Sequence, residues 1–369
     1  MGGFECSTQI TLAGRRLDMI AANQHDIRAE QDYALLQSVG IATARDGLRW
    51  HLIDRGGHYN FESFLPMLQA AVRQGVQVIW DLMHYGYPDD LDLFSPAFVD
   101  RFARFSRCIA ALVADHTGEI PFYSPVNEIS FYAWAAGRRY MYPYADGRGN
   151  DIKRQLVRAS IAAMDTIRSV DPRARFVFPD PILHAFAPDD RPDLQAKAQA
   201  EIDSQYEAWD MLAAEGYLDI VGCNFYYRNQ WELESQRVFL EWSQRAGRDP
   251  RWVPLRELLR RVHARYQRPM ILAETGHIGS GRAEWLHDAT IEVLEALRAG
   301  IPIEGVCLYP IIDRYDWDNP DHWHNSGLWD LDPQLNRVIN EEYAAELRRS
   351  QELISSYQAC SASAATPPD

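Results

Sequence analysis

Arg268-Pro-Met-Ile-Leu-Ala-Glu-Thr-Gly276 is a short apolar run that closes on one carboxylate, Glu274, and a glycine. Pro269 suits the entry to a strand, Met270 to Ala273 read as a strand buried on both faces, and Gly276 lets the chain leave it. A glutamate at such a strand end is poorly placed for folding, although a capping or loop carboxylate is the plainer reading of one such stretch taken alone. A second stretch shifts the balance: Ile120-Pro-Phe-Tyr-Ser-Pro-Val-Asn-Glu128 is another strand-like run, ending in Asn127 and Glu128. Two glutamates at two strand ends, far apart in sequence, suggest one site with two acids.

Working outward, further strand-like runs cover 3–7, 41–45, 76–82, 174–180, 219–224 and 303–309. Helical patterns fall between them over 26–39, 61–74, 151–170, 195–214, 255–266 and 284–299, with one opened by Ser95-Pro96 and a last one over 341–357. Eight strands alternating with helices imply a parallel sheet, and eight repeats point to a closed (β/α)8 TIM barrel of the α/β class. No shift of composition divides the chain, so one catalytic domain is expected over 1–357, and a low-complexity tail, expected to be disordered, over 358–369.

The chain has 369 residues, and its hydrophobic fraction of 47% suffices for one large core. No run reaches the eighteen or so apolar residues of a membrane helix. A formal charge of -15, from 37 basic and 52 acidic residues, argues against nucleic-acid and anionic-membrane partners and leaves room for a neutral one. The 11 Trp and 18 Tyr either stack on the C–H faces of sugar rings or fill the core. Five cysteines, odd in number and never spaced C-x-x-C, indicate neither a disulfide framework nor a zinc site. They suit a reducing, cytoplasmic setting, and the N-terminal residues show no secretory pattern.

A barrel gathers its reactive groups where the strands end, and Arg45, His84, Asn127, Glu128, Asn224, Tyr226 and Glu274 fall mostly at those ends. Two carboxyls facing each other there are the equipment of retaining glycoside cleavage, at a separation of roughly 5 Å. Their roles need opposite pKa shifts. Arg45 can hold Glu274 ionised, while burial and the repulsion between the two acids keep Glu128 neutral.

At this point the chain resembles family 1 glycoside hydrolases, the β-glucosidase family of clan A. His84-Tyr-Gly-Tyr-Pro88 looks like their H-W-D-L-P, Val126-Asn-Glu128 like T-x-N-E, and Ala273-Glu-Thr-Gly276 like T-E-N-G. Arg45-Asp-Gly-Leu-Arg-Trp50 fits R-x-S-x-x-W with glycine for serine, and Asn224-Phe-Tyr226 fits N-x-Y. Asp313-Arg-Tyr-Asp-Trp317 resembles D-N-F-E-W, and Ser326-Gly-Leu-Trp-Asp-Leu-Asp332 the F-G-L-x-x-V-D that follows it. The resemblance implies Glu128 as acid/base, Glu274 as nucleophile, Asn127 on the sugar 2-hydroxyl, and Arg45 and Tyr226 against the nucleophile. It also implies His84 on a sugar hydroxyl, with Asp316 and Trp317 around the far side of the ring. The departures are Glu5-Cys-Ser7 in place of Q-x-E-G, Tyr309 for the eighth-strand Trp, Asp316 for a glutamate, and a shorter chain. They touch the pocket that reads the terminal sugar. No cofactor is implied, and the acidic residues Asp316, Asp318 and Asp321 argue against a phosphorylated sugar.

Plainer readings stand beside these. His84 alone reads as a structural histidine, Asn224-Phe-Tyr226 as a turn and a core aromatic, and Asp46 as a structural partner for Arg45. Asp316 to His324 reads as a solvated loop before it reads as a metal site, and Gly276-His-Ile-Gly-Ser-Gly281 as a barrel loop before a phosphate cradle. Besides a retaining β-glycosidase, two functions remain: a transglycosylase, whose acceptor groove would use the aromatic loop residues 131–144, and a non-catalytic sugar-binding barrel.

Overall fold

Apolar runs of five or six residues bury both faces only in a sheet covered by helices, and that requirement sets the architecture. The computed structural model describes residues 1–365 apart from 234–237, 241 and 243–248, with 361–365 described by backbone alone. Eight parallel strands close into a barrel: β1 (Gly2–Gly3), β2 (Thr43–Gly47), β3 (Gln77–Asp81), β4 (Phe122–Ser124), β5 (Arg175–Pro181), β6 (Ile220–Asn224), β7 (Met270–Thr275) and β8 (Ile303–Leu308). Neighbours in the barrel are neighbours in sequence, and β1 closes the ring by pairing with both β2 and β8. The (β/α)8 barrel expected from the alternation is therefore present as a single domain.

Alternation along each strand divides the core in two. Ile79, Val177, Ile220, Ile271 and Ala273 plug the barrel interior. Val78, Phe176, Phe178, Val221 and Leu272, on the opposite faces, join the layer packed against the outer helices. Each fully buried Ile or Val in the plug contributes roughly 1.5–3 kcal/mol. Among the described residues no helix is long and apolar enough to cross a membrane.

Several elements differ from expectation. β1 ends at Gly3, where an added Cβ would lie 2.3 Å from the Tyr309 ring, so Glu5 and Cys6 follow the strand toward the mouth of the barrel. The helix expected over 195–214 is two, Gln195–Ser204 and Glu207–Ala214. The break falls at Gln205, whose side chain accepts from the Leu183 N–H and donates to the Ile202 carbonyl. Residues 131–144 are not all loop, because a helix, Ile129–Gly137, starts directly after Glu128. A small sheet of His184–Phe186, Gln230–Glu232 and Val238–Phe239 was not anticipated. The last helix runs over Glu341–Ala365, so the tail expected from 358 is helical through 365. Nothing in Cys360-Ser-Ala-Ser-Ala-Ala365 breaks a helix before Pro367. Residues 366–369 lie outside the described residues.

Candidate active site

Both strand-end glutamates are presented by irregular backbone. Ile271 and Ala273 point into the barrel, so strict alternation would turn Glu274 outward to the helices. The pairing of β7 slips between Leu272 and Glu274 against β6, and between Leu272 and Thr275 against β8. This bulge re-aims Glu274 into the mouth. Gly276 is required two residues on, because a Cβ there would meet the Tyr309 carbonyl oxygen at 2.4 Å. Glu128 has φ 46° and ψ 60°, a left-handed conformation costing roughly 1–2 kcal/mol for a residue with a side chain. Its N–H donates to the Pro179 carbonyl at 2.9 Å. Asp180 fixes the helix that follows by accepting the Ser130 N–H at 3.1 Å to each carboxylate oxygen.

Arg45, buried on β2, ties the acids together. Its Nε and one terminal nitrogen donate to Asp81 at 3.0 and 2.6 Å, the other terminal nitrogen to Glu274 at 2.5 Å, and a further bond reaches the Asn127 amide oxygen. Tyr226 donates its hydroxyl to the second oxygen of Glu274 at 2.7 Å. The Glu128 carboxyl accepts from Asn224 at 2.9 Å and from the Tyr85 hydroxyl. The Asn127 amide nitrogen bonds to the Tyr85 hydroxyl at 3.1 Å and to His84 Nε2 at 3.0 Å. An acceptor at His84 Nε2 places the ring proton on Nδ1, which faces Asp81 at 3.1 Å.

This arrangement splits the carboxyls. Burial, and then repulsion from Glu274, push the Glu128 pKa up to about 8 against the opposing hydrogen bonds of Tyr85 and Asn224. Burial also acts to raise Asp81, but the Arg45 charge and the His84 contact outweigh it and hold Asp81 below the usual carboxylate range. At neutral pH Glu128 therefore holds its proton, beside Glu274, whose two oxygens are bound by Arg45 and Tyr226. That pair can give a proton to one atom while attacking another.

The cleft above the network has a volume of about 320 Å³, and its walls include Glu274, His84, Tyr226, Tyr309, Arg314 and Trp317. Arg314 pairs with the buried Glu5 at 3.2 Å. The Tyr309 hydroxyl and the Trp317 indole N–H are buried without a hydrogen-bond partner. Leaving such a group unpaired costs roughly 1–3 kcal/mol, and both residues line the cleft.

Of the residues singled out from sequence, Arg45, His84, Asn127, Glu128, Asn224, Tyr226 and Glu274 join one network, and Tyr309 and Trp317 wall the cleft. Asp316 does neither. Its carboxylate accepts the N–H groups of Asp318 and Asn319 at 2.9 and 3.0 Å and pairs with His324 at 3.3 Å. None of Asp316, Asp318 and Asp321 lines the cleft, while Arg228 and Arg314 do, so the charge argument against phosphorylated sugars fails. Asp46 is not the partner of Arg45, because the two face opposite sides of β2. Sequence reasoning missed Asp81, Tyr85, Asp180 and the Glu5–Arg314 pair. Asp81 carried the same signal as Arg45, a charge closing a buried strand. Cys6, Asp81 and His84 are the one cluster of three ligand-type atoms within 4.8 Å among the described residues, but Asp81 already holds the Arg45 guanidinium, whose charge opposes a cation there.

No family model matches the chain, and no curated protein matches it. Among solved structures the fold is that of the β-glucosidases. The family 1 β-glucosidase of Thermotoga maritima superposes with a TM-score of 0.73 at 15% identity, covering 89% of this chain and 87% of that one. The β-glycosidase of Thermosphaera aggregans gives 0.72 at 18% identity, covering 89% and 85%. The β-glucosidase of Pyrococcus furiosus gives 0.72 at 16% identity, with the same coverage. The Thermotoga enzyme has also been solved in complex with deoxynojirimycin.

Proposed function

We propose that the chain is a retaining β-glycosidase that hydrolyses its substrate through a covalent glycosyl-enzyme. The observation that carries this reading is the division of labour between two strand-end carboxyls in one buried network: Glu274 clamped by Arg45 and Tyr226, Glu128 with its pKa at about 8. One Glu274 oxygen attacks the anomeric carbon, the bond from that carbon to the leaving oxygen breaks, and the Glu128 proton passes to that oxygen. Esterification removes the charge of Glu274, and with it the repulsion that held the proton on Glu128. The Glu128 carboxylate then takes a proton from water as its oxygen attacks the same carbon, and the Glu274 ester is released.

In this reading Asn127, which Arg45 and His84 hold in position, binds the 2-hydroxyl, and the unpaired donors of Tyr309 and Trp317 take other hydroxyls of the ring. The preference for β-linkages rests on the likeness to β-glycosidases. No cofactor enters this chemistry. Incubation with a 2-fluoro glycoside bearing a good leaving group is expected to label Glu274, read by mass analysis of peptides, and deoxynojirimycin is expected to protect it. An unlabelled Glu274 in active enzyme overturns the reading. Formation of longer glycosides without free sugar would make the activity transglycosylation by the same two residues.

A further inference from the structure

A second concavity, of about 680 Å³, adjoins the cleft and shares Tyr226, Arg228 and Asn229 with it. It is about twice the size of the cleft, and its walls are of a different kind. The helix Ile129–Gly137 contributes Phe131 and Trp134, whose rings lie 5.9 Å apart, and the small sheet contributes Trp231 and Phe239, 6.4 Å apart. Indole and phenyl faces on two sides suit a flat apolar body of several rings.

The rim is cationic. Arg138, Lys197 and Arg228 are exposed around it, with Arg138 over the Trp134 ring and Arg228 over Phe239. Among the described residues no carboxylate pairs with any of the three, in a chain whose formal charge is -15. Glu201, the one acid in the described lining, accepts the Trp231 indole N–H at 3.0 Å. Three cations around an aromatic hollow favour a ligand that is apolar in body and anionic at its edge.

Its position assigns the concavity a role. The helix carrying Phe131 and Trp134 begins one residue after Glu128, whereas Glu274 lines the other cavity. The proton donor and the nucleophile act on opposite sides of the bond that breaks, so the group that departs lies on the Glu128 side.

Resting on the glycosidase reading above, we propose that this compartment receives the leaving group, and that the substrate joins a sugar to a bulky, ring-bearing apolar group with an anionic substituent.

Two measurements test this. Fluorescence titration compares anilinonaphthalene sulfonate with phenylnaphthylamine, its uncharged counterpart. The sulfonate is expected to bind about tenfold more tightly, an advantage lost in the Arg138→Gln/Lys197→Gln variant, whereas Trp134→Ala weakens both probes. The second measurement is the ratio of kcat/KM for a sulfonated naphthyl β-glycoside to that for the glycosyl fluoride. It is expected to fall about tenfold in Arg138→Gln/Lys197→Gln, both exposed positions where folding is not at stake. Equal binding of the two probes, or a ratio the double variant leaves in place, overturns the proposal even if Glu274 is labelled and the fluoride is turned over. Selective sulfonate binding without any turnover or labelling overturns instead the glycosidase reading, and with it the assignment of this ligand as a leaving group.

Discussion

Arg45 and Asp46 are neighbours on β2, and they organise two buried charge networks of opposite character. On the outer face Asp46 accepts from His25 at 2.8 Å and from the Tyr33 hydroxyl at 2.6 Å. His25 also bonds to Asp32 at 2.8 Å, and Arg337 clamps Asp32 at 2.6 and 2.7 Å. Burial would lower the His25 pKa, but the two aspartates overcome it and push it up to about 9. Two cations then balance two carboxylates, Phe4 stacks on the imidazole at 3.9 Å, and the network is closed. On the inner face one guanidinium meets three carboxyls, Asp81, Glu274 and the neighbouring Glu128. One of the three must keep its proton, and it is Glu128, the carboxyl that Arg45 does not touch. The balanced network leaves no carboxylate without a cation; the unbalanced one at the mouth of the barrel leaves one carboxyl protonated at neutral pH.

The sharpest way to break this contrast is at Glu274. Glu274→Ala should lower kcat/KM by about 10⁴-fold or more, as loss of a nucleophile does. Thermal unfolding should show no loss of stability, because a repulsive charge has been removed from beside Glu128. A drop in Tm of several degrees would mean that the inner network is structural after all.

Next in size is the outer network. His25→Ala leaves two buried carboxylates short of a partner and should cost about 3–5 kcal/mol in denaturant unfolding. The kcat/KM of the folded fraction should stay within about twofold of wild type, and a catalytic loss larger than the stability loss explains would join the two networks into one.

The proton on Glu128 sets the pH behaviour. Activity should fall as pH rises through about 8, where the acid is lost. Because the folded-state pKa is raised, the stability that this proton contributes is present in full below the unfolded value near 4.5 and disappears progressively as pH climbs to about 8. Glu128→Gln should flatten that part of the stability profile, and an unchanged slope between pH 5 and 8 would remove Glu128 as its source.

Tyr85→Phe should give the smallest effect, roughly 1 kcal/mol, or less than about tenfold in kcat. The Tyr85 hydroxyl favours the ionised form of Glu128, so its loss should move the alkaline limb to higher pH. A shift to lower pH would mean that the hydroxyl stabilises the neutral acid instead.

Much of this was legible in one dimension because barrels write their site into strand ends. Arg45, His84, Asn127, Glu128, Asn224, Tyr226 and Glu274 are charged, amide or aromatic residues closing apolar runs, at the end of the barrel where its strands stop. Asp316 misled because a carboxylate two or three residues before free N–H groups serves its own turn, and sequence resemblance does not register which way it faces. The apolar compartment was invisible for a related reason. Its walls come from a helix read as loop and from a sheet of three short strands, too brief for periodicity to reveal.

The sequence by itself determined the barrel and the placing of two acids at strand ends, since hydrophobic periodicity and strand-end position are local properties that survive in a linear string. Only the tertiary structure decided which way those acids point and which groups surround each of them. Period-two alternation places Glu274 on the wrong face of β7, and a slip in register against both neighbouring strands corrects it. Register, like the balance of one guanidinium against three carboxyls, is a relation between distant segments, and it exists only once the barrel has closed.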